Sequence, residues 1–199
     1  MYEFADKVVK YLNSRFIEMF GNRKSLLSFD EVNVLQSVKS LYTEADLLVR
    51  EMLYRIAVEA YENTQLGDVS LINEQWLLDA VLEAYDPVTK YSYVNEVERK
   101  CSRAFEGIIA GENKNEEIDT ALRYWSAMIT QYSIITTDAA TMKAYTDSGV
   151  EKVKWVSVKD DKRCRICRER DGKVYDIDKV PVKPHLGCRC YLIPYSEEL

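Results

Sequence analysis

The sequence predicts a mainly α chain, in which a multi-helix body is followed by a small C-terminal β module, an α+β arrangement overall. Three observations carry this. Apolar residues recur at helical spacing through the first 149 positions, and only 7 Gly and 4 Pro interrupt the 199 residues. After Gly149 the pattern changes to short alternating runs. The division falls at 1–149 for a helical domain and 150–199 for the β module.

Taken in order, Val8, Leu12, Phe16 and Met19 place a first helix from Tyr2 to about Met19, with Gly21-Asn22 as its stop. Ser28 and Glu31 have capping-box spacing, in which each side chain satisfies the other residue's free backbone N–H, so a second helix opens near Phe29. Thr43 and Asp46 offer a weaker cap, and residues 29–62 read as one long helix or two, with Leu47, Leu48, Met52, Ile56 and Tyr61 on a stripe. Gln65-Leu66-Gly67-Asp68 breaks that pattern. Asn73 then caps a helix with Leu77, Ala80, Val81 and Ala84 on one face, ended by Asp86-Pro87. Asn95 to Ile109 is the next helix, supported by a Glu96–Lys100 pair one turn apart, and Gly111 to Asn115 is a polar turn. The longest pattern runs from Glu116 to about Ser148, with Leu122, Trp125, Met128, Ile129, Tyr132 and Ile135 inward and Gly149 as a left-handed cap. Strands follow at Val153–Val158, Lys173–Tyr175 and Cys190–Ile193, with turns at Asp160-Asp161 and Asp171-Gly172.

Composition narrows the function classes. No apolar run approaches the roughly 20 residues that span a bilayer, so no membrane role is expected. The N-terminus carries Glu3 and Asp6 where an export signal has a basic lead and an apolar stretch, so an intracellular protein is expected. Net charge is −6, but residues 1–150 hold 15 basic against 24 acidic side chains, a balance of −9, while residues 151–199 hold 12 against 9, a balance of +3. Lys162, Arg163, Arg165, Arg168, Arg170 and Lys173 are opposed in their own stretch only by Glu169 and Asp171, a basic knob on an acidic body.

Four of the five cysteines and the only histidine lie between positions 164 and 190. Cys164-Arg165-Ile166-Cys167 is a C-x-x-C knuckle, a spacing that lets two thiolates approach one ion while backbone N–H groups point at the sulfurs. In His185-Leu186-Gly187-Cys188-Arg189-Cys190, the two cysteines project to the same face of an extended segment, and Gly187 permits a tight turn that returns the imidazole towards them. Soft donors select Zn2+ over magnesium or calcium, and a thiolate-rich set is closed and structural. The β module thus reads as a β-hairpin zinc-binding module. Five donors compete for four positions: Cys164, Cys167, Cys188 and either His185 or Cys190.

Competing readings are weaker. Two disulfides would use four cysteines but suit an oxidising compartment, one ligand cluster argues against iron–sulfur, and a nuclease of the HNH type needs further histidines. A zinc hydrolase needs an open coordination position. Cys101, alone in a helix, reads as a small core residue; Trp76, Trp125 and the helical tyrosines read as packing, and Trp155 as a cover for the metal module.

The order Trp155, Asp160 or Asp161, Cys164-x-x-Cys167, Gly172 and Pro184-His185-x-x-Cys188-Arg189-Cys190 resembles the C-terminal signature of phage Mu F-like minor head proteins, also called phage head morphogenesis proteins. The stretch from Thr137-Asp138-Ala139 to Gly149 resembles the helix that leads into it. Leu186 departs from the proline common directly after the histidine in that family. The resemblance implies a structural minor capsid protein of a tailed phage or prophage, located in the virion and assembled in the host cytoplasm. It implies action near the portal in head assembly and in DNA packaging or ejection, with portal protein, major capsid protein and packaged DNA as partners, and no enzymatic activity. A second reading is a nucleic-acid-binding protein using Lys162, Arg163, Arg165, Arg168, Arg170 and Arg189 around the knuckle; the acidic body argues against duplex binding by the whole chain.

Overall fold

In a computed structural model the described residues are 2–20, 31–110 and 114–196. Helix α1 spans Tyr2–Phe20, α2 Glu31–Glu62, α3 Glu74–Leu77, α4 Tyr93–Ala110 and α5 Lys114–Asp147; β1 (Lys152–Val156), α6 (Arg165–Arg170), β2 (Val174–Asp176) and β3 (Tyr191–Pro194) follow. The mainly helical body and small C-terminal sheet agree with the expected fold class. Among the described residues no helix is long and apolar enough to cross a membrane.

Residues 29–62 form one helix, not two, as far as they are described. The cap expected at Thr43 does not form: its hydroxyl donates back to the Lys39 carbonyl at 3.0 Å, and Asp46 instead accepts from Arg50 at 2.8 Å. A mid-helix threonine that bonds its own preceding turn leaves the backbone ladder intact. Leu47, expected on the buried stripe, is 65% exposed; the inward face is Ala45, Val49, Met52 and Leu53, and Leu47 lies about 200° round the helix from Ala45. The capping box at Ser28 and Glu31, the stop at Gly21-Asn22 and the side chains of Phe16 and Met19 lie outside the described residues, as do positions 111–113.

Asn73 caps α3 as expected, its side chain accepting the Trp76 N–H at 2.9 Å. The helix then widens into a π-helical turn over Leu78–Leu82, with the Glu83 N–H reaching the Leu78 carbonyl at 2.8 Å. Leu77, Val81 and Leu82 are all buried. Asp86 ends the segment by accepting the Val88 and Thr89 N–H groups.

The core sits between α2, α4 and α5, with α1 against α2 and α5. Trp125 of α5 is its largest fully buried side chain and packs against Tyr42 of α2 at 5.0 Å between ring centroids, while Tyr93 meets Tyr132 edge-on at 5.1 Å. Cys101 is half-buried against this core. Gly149, at φ +72°, turns the chain out of α5 as expected.

The sheet is antiparallel with the order β2-β1-β3, so the first strand is central. Val153 pairs with Tyr175 on one side, and Trp155 with Leu192 on the other. The third strand begins one residue later than expected, at Tyr191, which leaves Cys190 in the loop before it. Val153 and Trp155 point inward from β1, as their alternation predicts.

Candidate metal centre

The knuckle is built on α6, a helix of only six residues that the strand-and-turn reading of this stretch did not anticipate. Cys164 is its N-cap, in an extended conformation, and its sulfur accepts the backbone N–H of Cys167 at 3.3 Å. A thiol thus occupies the place of the oxygen that usually satisfies a free amide of the first turn. The same bond sets Cys167 beside Cys164.

The other donors come from the irregular segment before β3. Gly187 at φ +67° makes the turn, and Cys188 and Cys190 follow it at 1% and 4% exposure. Cys167, at 3% exposure, lies 3.6 Å from Cys188, sulfur to sulfur, and 3.7 Å from the Nε2 of His185. Two sets of donor atoms each lie within 4.8 Å of one another, Cys164 with Cys167 and His185, and Cys167 with Cys188 and Cys190. Cys167 belongs to both.

These separations fit a metal ion. With metal–sulfur bonds of about 2.3 Å, neighbouring ligands of a tetrahedral ion stand about 3.7 Å apart. A disulfide needs about 2.05 Å between sulfurs, and all five cysteines are free. The imidazole is also oriented for the task. Its Nδ1 lies 2.8 Å from the Leu186 carbonyl, which can only accept, so Nδ1 carries the proton and Nε2 is left as the lone-pair donor.

Electrostatics points the same way. The Cys164 thiol is brought down to about 7, chiefly by the Cys167 backbone N–H, with further help from the Cys167 thiol and His185. Burial pushes Cys167 and Cys188 up. Their shell is apolar: Trp155, Tyr175, Val180 and Leu192. Several sulfurs facing one another in such a shell cannot ionise together without a cation, and a bound cation would reverse the direction of both upward shifts. The five predicted donors are therefore gathered in one place and can bind a metal.

The predicted contact residues are more divided. Arg163 donates to Ser157 at 2.9 Å and to Asp171 at 3.3 Å. Arg165 pairs with Glu169 at 2.7 Å, and Arg189 with Asp160 at 2.5 Å. Arg170 lies over the Trp155 ring and donates to the Val182 carbonyl at 2.7 Å. Lys162 and Arg168 have no ion-pair partner among the described residues. A cavity of about 120 Å³ opens beside Cys164 and His185, with Lys162, Arg163 and Arg189 around it. The sequence reading missed Asp171 as more than a turn residue. It accepts the Ser157 N–H at 2.9 Å and so ties the end of β1 to the end of α6.

Residues 103–193 match the family described as Phage Mu protein F like protein. The match begins inside α4 and ends in β3, and so takes in the metal centre and the whole of α5. The signature from Thr137 to Cys190 that resembles the C-terminal part of phage Mu F-like head morphogenesis proteins falls within this matched stretch. Neither the curated proteins nor the solved structures include a match to the chain.

Proposed function

We propose that this chain, with its phage Mu F-like segment at 103–193, is a non-enzymatic minor capsid protein that acts near the portal in head assembly, its C-terminal module held by a structural Zn2+. The observation that carries the reading is the donor cluster inside the matched segment: three buried thiols, a fourth at a helix N-cap and one imidazole set up as an Nε2 donor. Cys164, Cys167 and Cys188 with one of His185 or Cys190 hold the ion, and the remaining donor packs beside it.

Zinc supplies charge neutralisation and cross-linking here, not a reactive water, because a thiolate-rich set leaves no open position. Residues 150–199 have a cluster of four buried residues at their heart, too little to fold strongly alone, and metal binding adds folding free energy because the unfolded chain holds no preformed site. Residues 1–149 act as a separate helical domain that carries the module. Portal protein, major capsid protein and packaged DNA are the partners, and the virion is the place of action. Lys162 and Arg168, which have no ion-pair partner among the described residues, are the first contacts to test.

Metal analysis of the purified chain combined with capture of head proteins from the same genome tests the proposal. One tightly bound zinc per chain and retention of portal protein are expected. A chain free of metal that captures no head protein would overturn it. A salt-dependent DNA affinity lost in Lys162→Ala/Arg168→Ala, with no portal capture, would move the reading to the nucleic-acid-binding alternative.

A further inference from the structure

The segment that brings three of the five donors is fastened to α5 at three points that no catalogue of metal ligands would include. The Oε1 of Gln131 accepts the Gly187 N–H at 2.8 Å. The carboxylate of Asp138 pairs with Lys183 at 2.6 Å. The Tyr145 hydroxyl donates to the Leu192 carbonyl at 3.1 Å. Residues 131, 138 and 145 are spaced by seven, so they lie on nearly one line along the helix, drifting by only about 20° per step and covering about 21 Å of its length.

Their partners bracket the donors. Lys183 precedes His185, Gly187 stands between His185 and Cys188, and Leu192 follows Cys190. Lys183 also donates to the Cys188 carbonyl at 3.2 Å, which joins the Asp138 clamp to the backbone of a donor residue. Gln131 is buried, and its bond falls on the residue whose left-handed turn aims the loop at Cys167.

From this geometry we infer that Gln131, Asp138 and Tyr145 are positioning residues for the metal centre, a stripe on α5 that preorganises residues 183–192 and couples metal affinity to the helical body. The inference rests on the metal reading given above. The physical reason is that a segment irregular up to the start of β3 loses conformational freedom when it is held in one shape, and any contact that holds it there beforehand removes that cost from the metal-binding step. The coupling is reciprocal: whatever zinc affinity a clamp adds, zinc returns as strength in the clamp.

The test is zinc affinity by chelator competition on the full chain, with the Co2+ absorption spectrum as a report on the donor set. Gln131→Ala is expected to weaken zinc about tenfold and Tyr145→Phe about fivefold, the fold-changes that correspond to one net hydrogen bond. The Co2+ spectrum should keep its thiolate bands in both. Gln131→Glu, which keeps an acceptor oxygen, should restore affinity. Tyr42→Phe, which removes the Tyr42 bond to the Lys100 carbonyl between α2 and α4, should leave affinity unchanged.

Affinities within twofold of the parent in both Gln131→Ala and Tyr145→Phe would overturn the inference, as would an equal loss in Tyr42→Phe, which would mark a general effect of stability. If Gln131→Ala does not fold, Tyr145→Phe, a loss of one hydroxyl, decides alone. A parent chain that binds no zinc overturns the metal reading and the clamp together; a parent that binds with unaltered variants overturns the clamp only.

Discussion

Replacing the donors one at a time separates the residues that hold the ion from the one that does not. Cys167 is the informative start, because it belongs to both close sets and lies 3.6 Å from Cys188 and 3.7 Å from His185 Nε2. Structural zinc sites release about 10–16 kcal/mol on binding near neutral pH, so one of four ligands carries about 2.5–4 kcal/mol, or about 10²–10³ in affinity. Cys167→Ser is expected to lose at least that much, since its hydroxyl is a poor ligand in a buried apolar shell. For the fifth donor the outcome must be lopsided. Of His185→Ala and Cys190→Ser, one should cost about 10²-fold or more and the other less than about fivefold, because a tetrahedral ion has four positions. Cys101→Ser, remote from the cluster, is the control. Chelator competition reads affinity, and the Co2+ spectrum counts thiolates. A Cys167→Ser chain that binds zinc as tightly as the parent would refute the site, and losses of about 10²-fold in both His185→Ala and Cys190→Ser would refute the four-position argument.

Other outcomes follow from the same geometry. In metal-free chain, alkylation of Cys164 should rise through about pH 7, well below the ordinary thiol value of 9.0, because the Cys167 N–H stabilises its thiolate. Cys167 and Cys188, pushed up by burial, should react last, and zinc should protect all three; mass spectrometry of quenched samples gives the order, and equal rates would contradict it. Asp171 lies below its ordinary value of 3.8, first through the Ser157 N–H and then through the Ser157 hydroxyl, Lys159 and Arg163. An acid held low stabilises the fold above its unfolded value, and that stability fades as pH falls through its folded one, so Asp171→Asn should lower stability at pH 7 and flatten the loss below about pH 4 in thermal melts. Gly67→Ala should cost about 2–4 kcal/mol in denaturant unfolding, from a strained left-handed alanine and the loss of one hydrogen bond. At φ +74° its Cβ would stand 2.3 Å from the Tyr61 hydroxyl, which must leave Asp147. Gly149→Ala, with open space around it, should show the strain alone, and equal costs would remove Tyr61 from the account.

What the sequence made legible, and what it hid, divides by the range of the physics. The five donors were readable because their chemistry is carried by residue type and local spacing, and the N-cap at Asn73 and the left-handed Gly149 because each acts within one turn. Helix α6 was hidden for a related reason. Six residues have too few turns to display a period, and its cap is a thiol, which no capping preference advertises. Leu47 misled because a run of apolar residues on a 32-residue helix fits more than one stripe, and only the core that α2 shares with its neighbouring helices, in which Ala45 and Val49 are buried, selects between them.

The basic tail shows the same limit from the side of function. Six charges close together suggested one continuous face, yet Arg163, Arg165 and Arg189 each meet an acid and Arg170 lies on Trp155. Two of those acids, Asp160 and Asp171, stand in the sequence as turn residues. Exposure separates them further: the Arg165–Glu169 pair is largely in water and contributes little, so Arg165 remains available to a partner at small cost, whereas Arg163 would have to give up Ser157 and Asp171 together. Substitutions for a partner surface should therefore begin with Lys162, Arg168 and Arg165. A loss of binding on changing Arg163 would report first on the joint between β1 and α6, and only a variant that keeps zinc affinity could assign it to the partner.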